Sequence, residues 1–154
     1  DNKRHLLQWT VAGRPVPQKS HRHSYRGVTW DPSSGTKEAF LQATMQELPR
    51  GMQPITWPIS MHLHFNFKRA KSHFTKKGNL TKRAPIHHTQ VPDCDNLAKH
   101  IMDSLNSHVY IDDKQICELC VSKHWSTTDS TEVVIFAVDD GVVQSKRRAL
   151  QYVA

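Results

Sequence analysis

The sequence predicts a single α+β domain, with a mixed sheet of about five strands packed against two principal helices. Three observations carry that expectation. The chain has 154 residues, enough for one hydrophobic core but short for two. Residues 58–69, PISMHLHFNFKR, alternate apolar and polar side chains with period two, as in a strand with one buried face. Two other segments repeat apolar residues at helical spacing. Residues 1–140 are expected to form the domain, including a basic loop at 68–90, and residues 141–154 a C-terminal tail.

The elements follow in order. HLLQWTVAG reads as a first strand, ended by GRPVPQ, where Gly13, Pro15 and Pro17 interrupt regular structure. HSYRGVTWDP reads as a short strand or hairpin arm. SSGTKEAFLQATMQEL reads as a helix with Ser33 or Ser34 placed to cap it, and with Phe40, Leu41, Met45 and Leu48 at helical spacing. In the alternating strand Ile59, Met61, Leu63, Phe65 and Phe67 form the apolar face. Residues 70–90 carry almost nothing apolar and read as a long flexible loop. A second helix is expected at 96–106, burying Leu97, Ala98, Ile101, Met102 and Leu105. A short strand HVYI and the strands ICELCVSKHW and TEVVIFAV complete the sheet. The tail contains SKRRALQY, a short helix or a loose end.

Charge is unevenly spread. Residues 1–90 hold 15 basic and 4 acidic side chains, net +11, whereas residues 91–154 hold 6 and 10, net −4. A basic half suits a polyanion, and the acids then need a task of their own. Three cysteines, an odd number in a chain of this size, point to a reducing intracellular compartment. No apolar run reaches the roughly 20 residues of a spanning helix, so no membrane partner is expected.

The acids concentrate in residues 91–115, VPDCDNLAKHIMDSLNSHVYIDDKQ, which hold five aspartates and no glutamate. Asp93 and Asp95 are two apart just before a helix, and Asp95 sits where an N-cap belongs. Asp112 and Asp113 follow at a turn between strands. Four short carboxylates are thus placed to converge, and hard oxygen ligands suit Mg²⁺ or Mn²⁺. An aspartate before a helix is also the usual cap, and Asp-Asp between strands the usual turn. Spacing alone leaves both readings open.

The motif pair PDCDNLAKHIMDSLN and YIDDKQI resembles the signature of the RusA-type Holliday-junction resolvases of bacteria and phages. Pro92, Asp93, Asp95, Asn96, Lys99, Asp103, Leu105, Asn106, Asp112, Asp113 and Gln115 fall in its register. VAGRPVPQKSHRH and the ending ELCVSKHW…TEVVIFAV are similar to the family as well, so the resemblance spans roughly residues 6–138. It implies a homodimeric endodeoxyribonuclease that nicks opposed strands of branched DNA symmetrically, using Mg²⁺ or Mn²⁺ and no small-molecule cofactor. It also implies a cytoplasmic or nucleoid location in a bacterial or phage setting. Asp93, Asp95 and Asp113 match the family's metal-binding acids, Asp112 a neighbouring acid and Lys99 its essential lysine. The insert at 70–90 is longer than in compact members, and the tail has no counterpart.

On this reading Asp93, Asp95, Asp112 and Asp113 hold metal, while Lys99 stabilises charge on the reacting phosphate or orients water. Otherwise Lys99 would be an i,i+4 partner of Asp95 or Asp103, worth about 0.3–0.5 kcal/mol. DNA backbone is expected to contact Lys68, Arg69, Lys71, Lys76, Lys77, Lys82 and Arg83, with Arg14, Lys19, Arg22 and Arg26 as a second patch. Trp30 beside that patch is placed to stack on a splayed base. The other tryptophans read as core or interface, Trp57 being a dimer-interface candidate. Zinc binding by Cys117-x-x-Cys120 is disfavoured, because strand residues three apart face opposite sides. His62 and His64 read as exposed strand residues. The alternatives are a broader flap or branched-DNA endonuclease and a non-catalytic DNA-binding domain of the same fold. Acids facing DNA weigh against the latter.

Overall fold

The alternation at residues 59–68 becomes the inner strand of the sheet. A computed structural model of the chain describes residues 3–138. Its strands are β1 (Lys3–Ala12), β2 (Arg22–His23), β3 (Thr29–Trp30), β4 (Ile59–Lys68), β5 (Ile116–Ser126) and β6 (Ser130–Val138). The helices are α1 (Ser34–Glu47) and α2 (Cys94–Leu105). The main sheet runs β1-β6-β4-β5, with β4 and β5 parallel and the other pairs antiparallel; β2 and β3 form a separate hairpin. The α+β reading holds with four strands in the sheet. HVYI does not become a fifth. Tyr110 makes only isolated bridges to Ile55 and Asn106; its ring is buried, and its hydroxyl donates to the Met102 carbonyl.

Period two decides which residues meet the helices. Ile59, Met61, Leu63, Phe65 and Phe67 are fully buried and cluster with Trp9, Val133 and Ile135. Each such burial contributes on the order of 2 kcal/mol. The expected exposure of His62 and His64 is corrected. Both are half-buried: His64 Nδ1 meets Ser122 Oγ at 2.7 Å, and His62 packs on Phe136. Trp57 is also buried, donating to the Val138 carbonyl at 2.8 Å. It is therefore core and not an interface candidate. Cys117 sits at the irregularity at the start of β5 and Cys120 pairs in register with His62; both are exposed, and all three cysteines are free.

α1 buries Phe40, Thr44 and Leu48, while Met45 stays exposed. The Thr44 hydroxyl accepts the Trp9 indole N–H at 3.1 Å, which joins α1 to β1. Ser33 is the N-cap residue, yet its hydroxyl accepts Lys19 N–H instead of a helical N–H.

α2 begins two residues earlier than the periodicity suggests. Leu97 N–H reaches the Asp93 carbonyl at 3.1 Å, so Asp93 is the N-cap and Asp95 lies in the first turn. Its buried face adds His100 and Ser104 to Leu97, Ala98, Ile101 and Leu105, and Met102 is only half-buried.

The segment 70–90 is not a loose loop. Lys71–His73 is a 3-10 turn, Phe74 bridges Leu80, and Thr75 N–H bonds Asn79 O at 2.7 Å around Gly78 at φ +87°. Its paucity of aliphatic residues concealed aromatic anchors. His73 packs edge-on against Trp125, and His88 stacks on Phe67 at 4.2 Å. The tail 141–154 and its SKRRALQY stretch lie outside the described residues.

Candidate active site

Two groups of carboxylates lie at the two ends of α2. Asp93 and Asp95 occupy its N-terminal end; Asp95 Oδ1 takes the adjacent Asn96 N–H, and Asp93 caps with no side-chain bond. At the other end Asn106 Oδ1 accepts Asp113 N–H at 2.9 Å, which places the Asp112–Asp113 turn beside the helix C-terminus. The twelve-residue helix that carries them at its two ends is about 18 Å long at 1.5 Å per residue. The four carboxylates therefore do not meet within one chain. Among the described residues no three His, Cys, Asp or Glu side chains are grouped to hold a metal ion.

Electrostatics at the C-terminal group is strained. Burial, then the hydrogen-bonded Asp112 carboxyl, then the charges of Asp112 and Asp103 push Asp113 above the usual carboxylate range. Asp112 is held below it, chiefly by Lys114 N–H. Asp112 also closes a capping box, with its backbone N–H bonded to Gln115 Oε1 at 2.8 Å. Gln115 in turn donates to the Ile55 and Trp57 carbonyls, which ties the turn to the start of β4. Burial, then the charges of Asp113, Asp103 and Asp112, push the Tyr110 phenol up.

The chemistry of these donors fits a hard divalent cation, since hard oxygens crowded by like charge gain from one. Their placement in one chain supplies only pairs. Lys99 is exposed on the solvent side of α2, one turn after Asp95, with no ion pair among the described residues. Asp103 pairs with Lys37 of α1 at 3.8 Å, and not with Lys99 as the helical spacing suggested.

Lys123 is a neighbour of the Asp93 end that sequence reasoning missed. Its ammonium donates to the Gln90 carbonyl at 2.6 Å and the Pro92 carbonyl at 2.9 Å, immediately before Asp93. The signal was present: Lys123 shares strand parity with Val121 and pairs in register with buried Phe65. A lysine on an apolar face needs acceptors. His88 completes this corner. Burial first, then Lys123 and Arg14, push its pKa down, so it is neutral at pH 7.

The expected DNA-binding cations divide into three places. Lys76, Lys77, Lys82 and Arg83 are exposed on the 70–90 segment, and Lys68 and Lys71 are exposed where it leaves β4. Arg69 and Arg14 are engaged with the fold. Arg69 donates to Pro85 O at 2.7 Å and lies over Trp125, and Arg14 lies over Phe67. Lys19, Arg22 and Arg26 belong to the β2–β3 hairpin and its approach.

The family model described as Endodeoxyribonuclease RusA matches residues 12–136. The chain belongs to that family. A curated relative is the uncharacterized protein YqaN of Bacillus subtilis (strain 168). It is 30% identical over 134 residues, which covers 84% of this chain and 94% of the relative. RusA membership makes the chain an endodeoxyribonuclease of the Holliday-junction resolvase type, with branched DNA as its substrate class. Both motif ends of α2 lie inside the matched span.

Proposed function

We propose that the chain resolves four-way DNA junctions as a metal-dependent homodimer, through paired symmetric nicks. Residues 1–140, with the basic segment at 68–90, form its endonuclease unit. The observation that carries the reading is the separation of the carboxylates. Asp93 and Asp95 lie at one end of a helix about 18 Å long, with Asp112 and Asp113 beside its other end, so one copy offers two half-sites and no whole one.

Two copies related by a two-fold axis, with their α2 helices antiparallel, bring each N-terminal pair to the partner's C-terminal pair. Two complete sites result, as two opposed cuts require. A divalent ion held there, Mg²⁺ or Mn²⁺, would activate water and neutralise charge on the phosphate. Lys99 lies on the solvent face of α2 between the two ends and supplies an ammonium to a phosphate oxygen. Lys123 holds the chain before Asp93 in place. A DNA substrate fits an intracellular location.

Complementation tests the shared site. Asp93→Asn and Asp113→Asn homodimers each carry one lesion in both sites and should not cut a cruciform plasmid. A co-expressed heterodimer of the two concentrates both lesions in one site and leaves the other intact, so nicked circles should appear. Sites confined to single chains would leave every heterodimer dead, and that result rejects the reading.

A further inference from the structure

The β2–β3 hairpin presents more apolar surface than a hairpin of its size needs. Tyr25 is 93% exposed, Val28 60% and Trp30 45%. A scattered exposed residue is ordinary, but three within six positions concentrate exposed apolar side chains on one hairpin.

Its shape is held from within. Ser24 N–H bonds Val28 O at 2.8 Å, and the Ser24 hydroxyl accepts the N–H groups of Arg26 and Val28. Gly27 supplies the left-handed residue at φ +78°, and His23 bonds Thr29 across the strands at 2.8 Å. The tip residues are thus presented by a defined turn.

Its base is fixed to the candidate active site. Gln18 N–H donates to the Asn96 carbonyl at 2.9 Å, in the first turn of α2 beside Asp95, and Gln18 Nε2 reaches Asp31 Oδ1 at 3.1 Å across the hairpin's two ends. Charge selects the occupant. From Gln18 to Trp30 the chain carries Lys19, Arg22, Arg26 and two histidines, and no acid. A second copy of this surface would repel it, whereas DNA supplies both phosphates for the cations and flat faces for the rings.

We infer that this hairpin is a branch-point probe: Tyr25 and Trp30 stack on bases that the junction leaves unstacked, while Arg22 and Arg26 hold the flanking phosphates beside the Asp93–Asp95 end of α2. The inference rests on the junction-resolving reading and adds to it the device that distinguishes a branch from plain duplex. Stacking on an aromatic side chain is tolerant of sequence and contributes enough per base to change affinity by about 5- to 100-fold.

The experiment uses full-length protein in EDTA and four-way junctions with 2-aminopurine at the branch point, against a duplex of the same sequence. Wild-type protein should change the 2-aminopurine fluorescence on binding. Tyr25→Ala should lose that change and lower the junction-to-duplex affinity ratio by about 5- to 100-fold, with the salt slope of binding intact. Tyr25→Phe, which keeps the ring, should rescue both. Arg26→Gln should instead reduce the slope of log K against log salt by about 0.9. An unaltered fluorescence change and affinity ratio in Tyr25→Ala overturn the inference. So does a Tyr25→Ala protein that turns monomeric in light scattering and loses junction and duplex binding alike, which would make the patch a protein interface. The two readings fail separately, because fluorescence reports stacking whether or not nicking follows, and complementation reports nicking whether or not Tyr25 stacks.

Discussion

Lys123 holds the backbone that leads into Asp93, and on the proposed function that makes it a positioning residue. Its ammonium gathers the carbonyls of Gln90 and Pro92 and fixes the chain one residue before Asp93. Lys123→Met should leave junction affinity near wild type and lower the rate at saturating DNA by about 10- to 100-fold, since small misplacements cost that much. Lys123→Arg should recover part of the rate. Equal losses in affinity and rate would make Lys123 a DNA contact instead. Asp31 acts on stability. Lys37 first, then Ser33 N–H, hold its pKa at about 2 against an ordinary 3.8. Because the folded value is the lower one, the stabilisation is complete above about pH 4 and is lost as pH falls towards 2. Asp31→Asn should cost on the order of 1 to 2 kcal/mol at pH 7 and flatten the acid limb of the stability curve. Urea midpoints measured from pH 7 to pH 2 check both, and an unchanged acid limb would remove the linkage.

Among the elements, the 70–90 segment changes its meaning once its anchors are known. It is strapped to the sheet by Arg69, just after β4, to Pro85 O, and by two residues of β5, Trp125 Nε1 to His87 O at 3.1 Å and Lys123 to Gln90 O. A strapped segment presents its cations at fixed positions, with Lys76 and Lys77 at the turn around Gly78. Neutralising Lys76, Lys77, Lys82 and Arg83 together should weaken DNA binding more than it slows nicking. The slope of log K against log salt should fall by up to about 0.9 for each phosphate that is no longer neutralised. A slope equal to wild type would show that the DNA lies elsewhere.

At the level of the whole molecule, the proposed assembly follows from α2. Its length holds the acidic motifs apart, and a symmetric pair of copies is the economical way to reunite them. Light scattering should give a particle of about twice 17.7 kDa. On a cruciform plasmid the wild-type dimer should give mainly linear product, because both strands are cut in one encounter. In heterodimers with one Asp95→Asn subunit, one of the two shared sites stays whole, so nicked circles should accumulate. A monomer that linearises the cruciform in one binding event would falsify the dimer.

The sequence by itself determined the sheet's inner strand, the buried face of α2 and the identity of the acids, because period two, period 3.6 and a dense local motif are written in adjacent residues. It went astray wherever the deciding partner was remote. The start of α2 is a separate case, settled by the local bond from Leu97 N–H to the Asp93 carbonyl, because an aspartate at either position suits a cap. The 70–90 segment is ordered because His73 and His88 find Trp125 and Phe67, which lie on strands outside it. Asp103 turns to Lys37, on the other helix. Above all, the motif pair reads as one convergent cluster along the chain, since spacing records order and not direction. Only the folded helix decides that its two acidic ends point apart, because a rigid rise of about 1.5 Å per residue cannot bend them together.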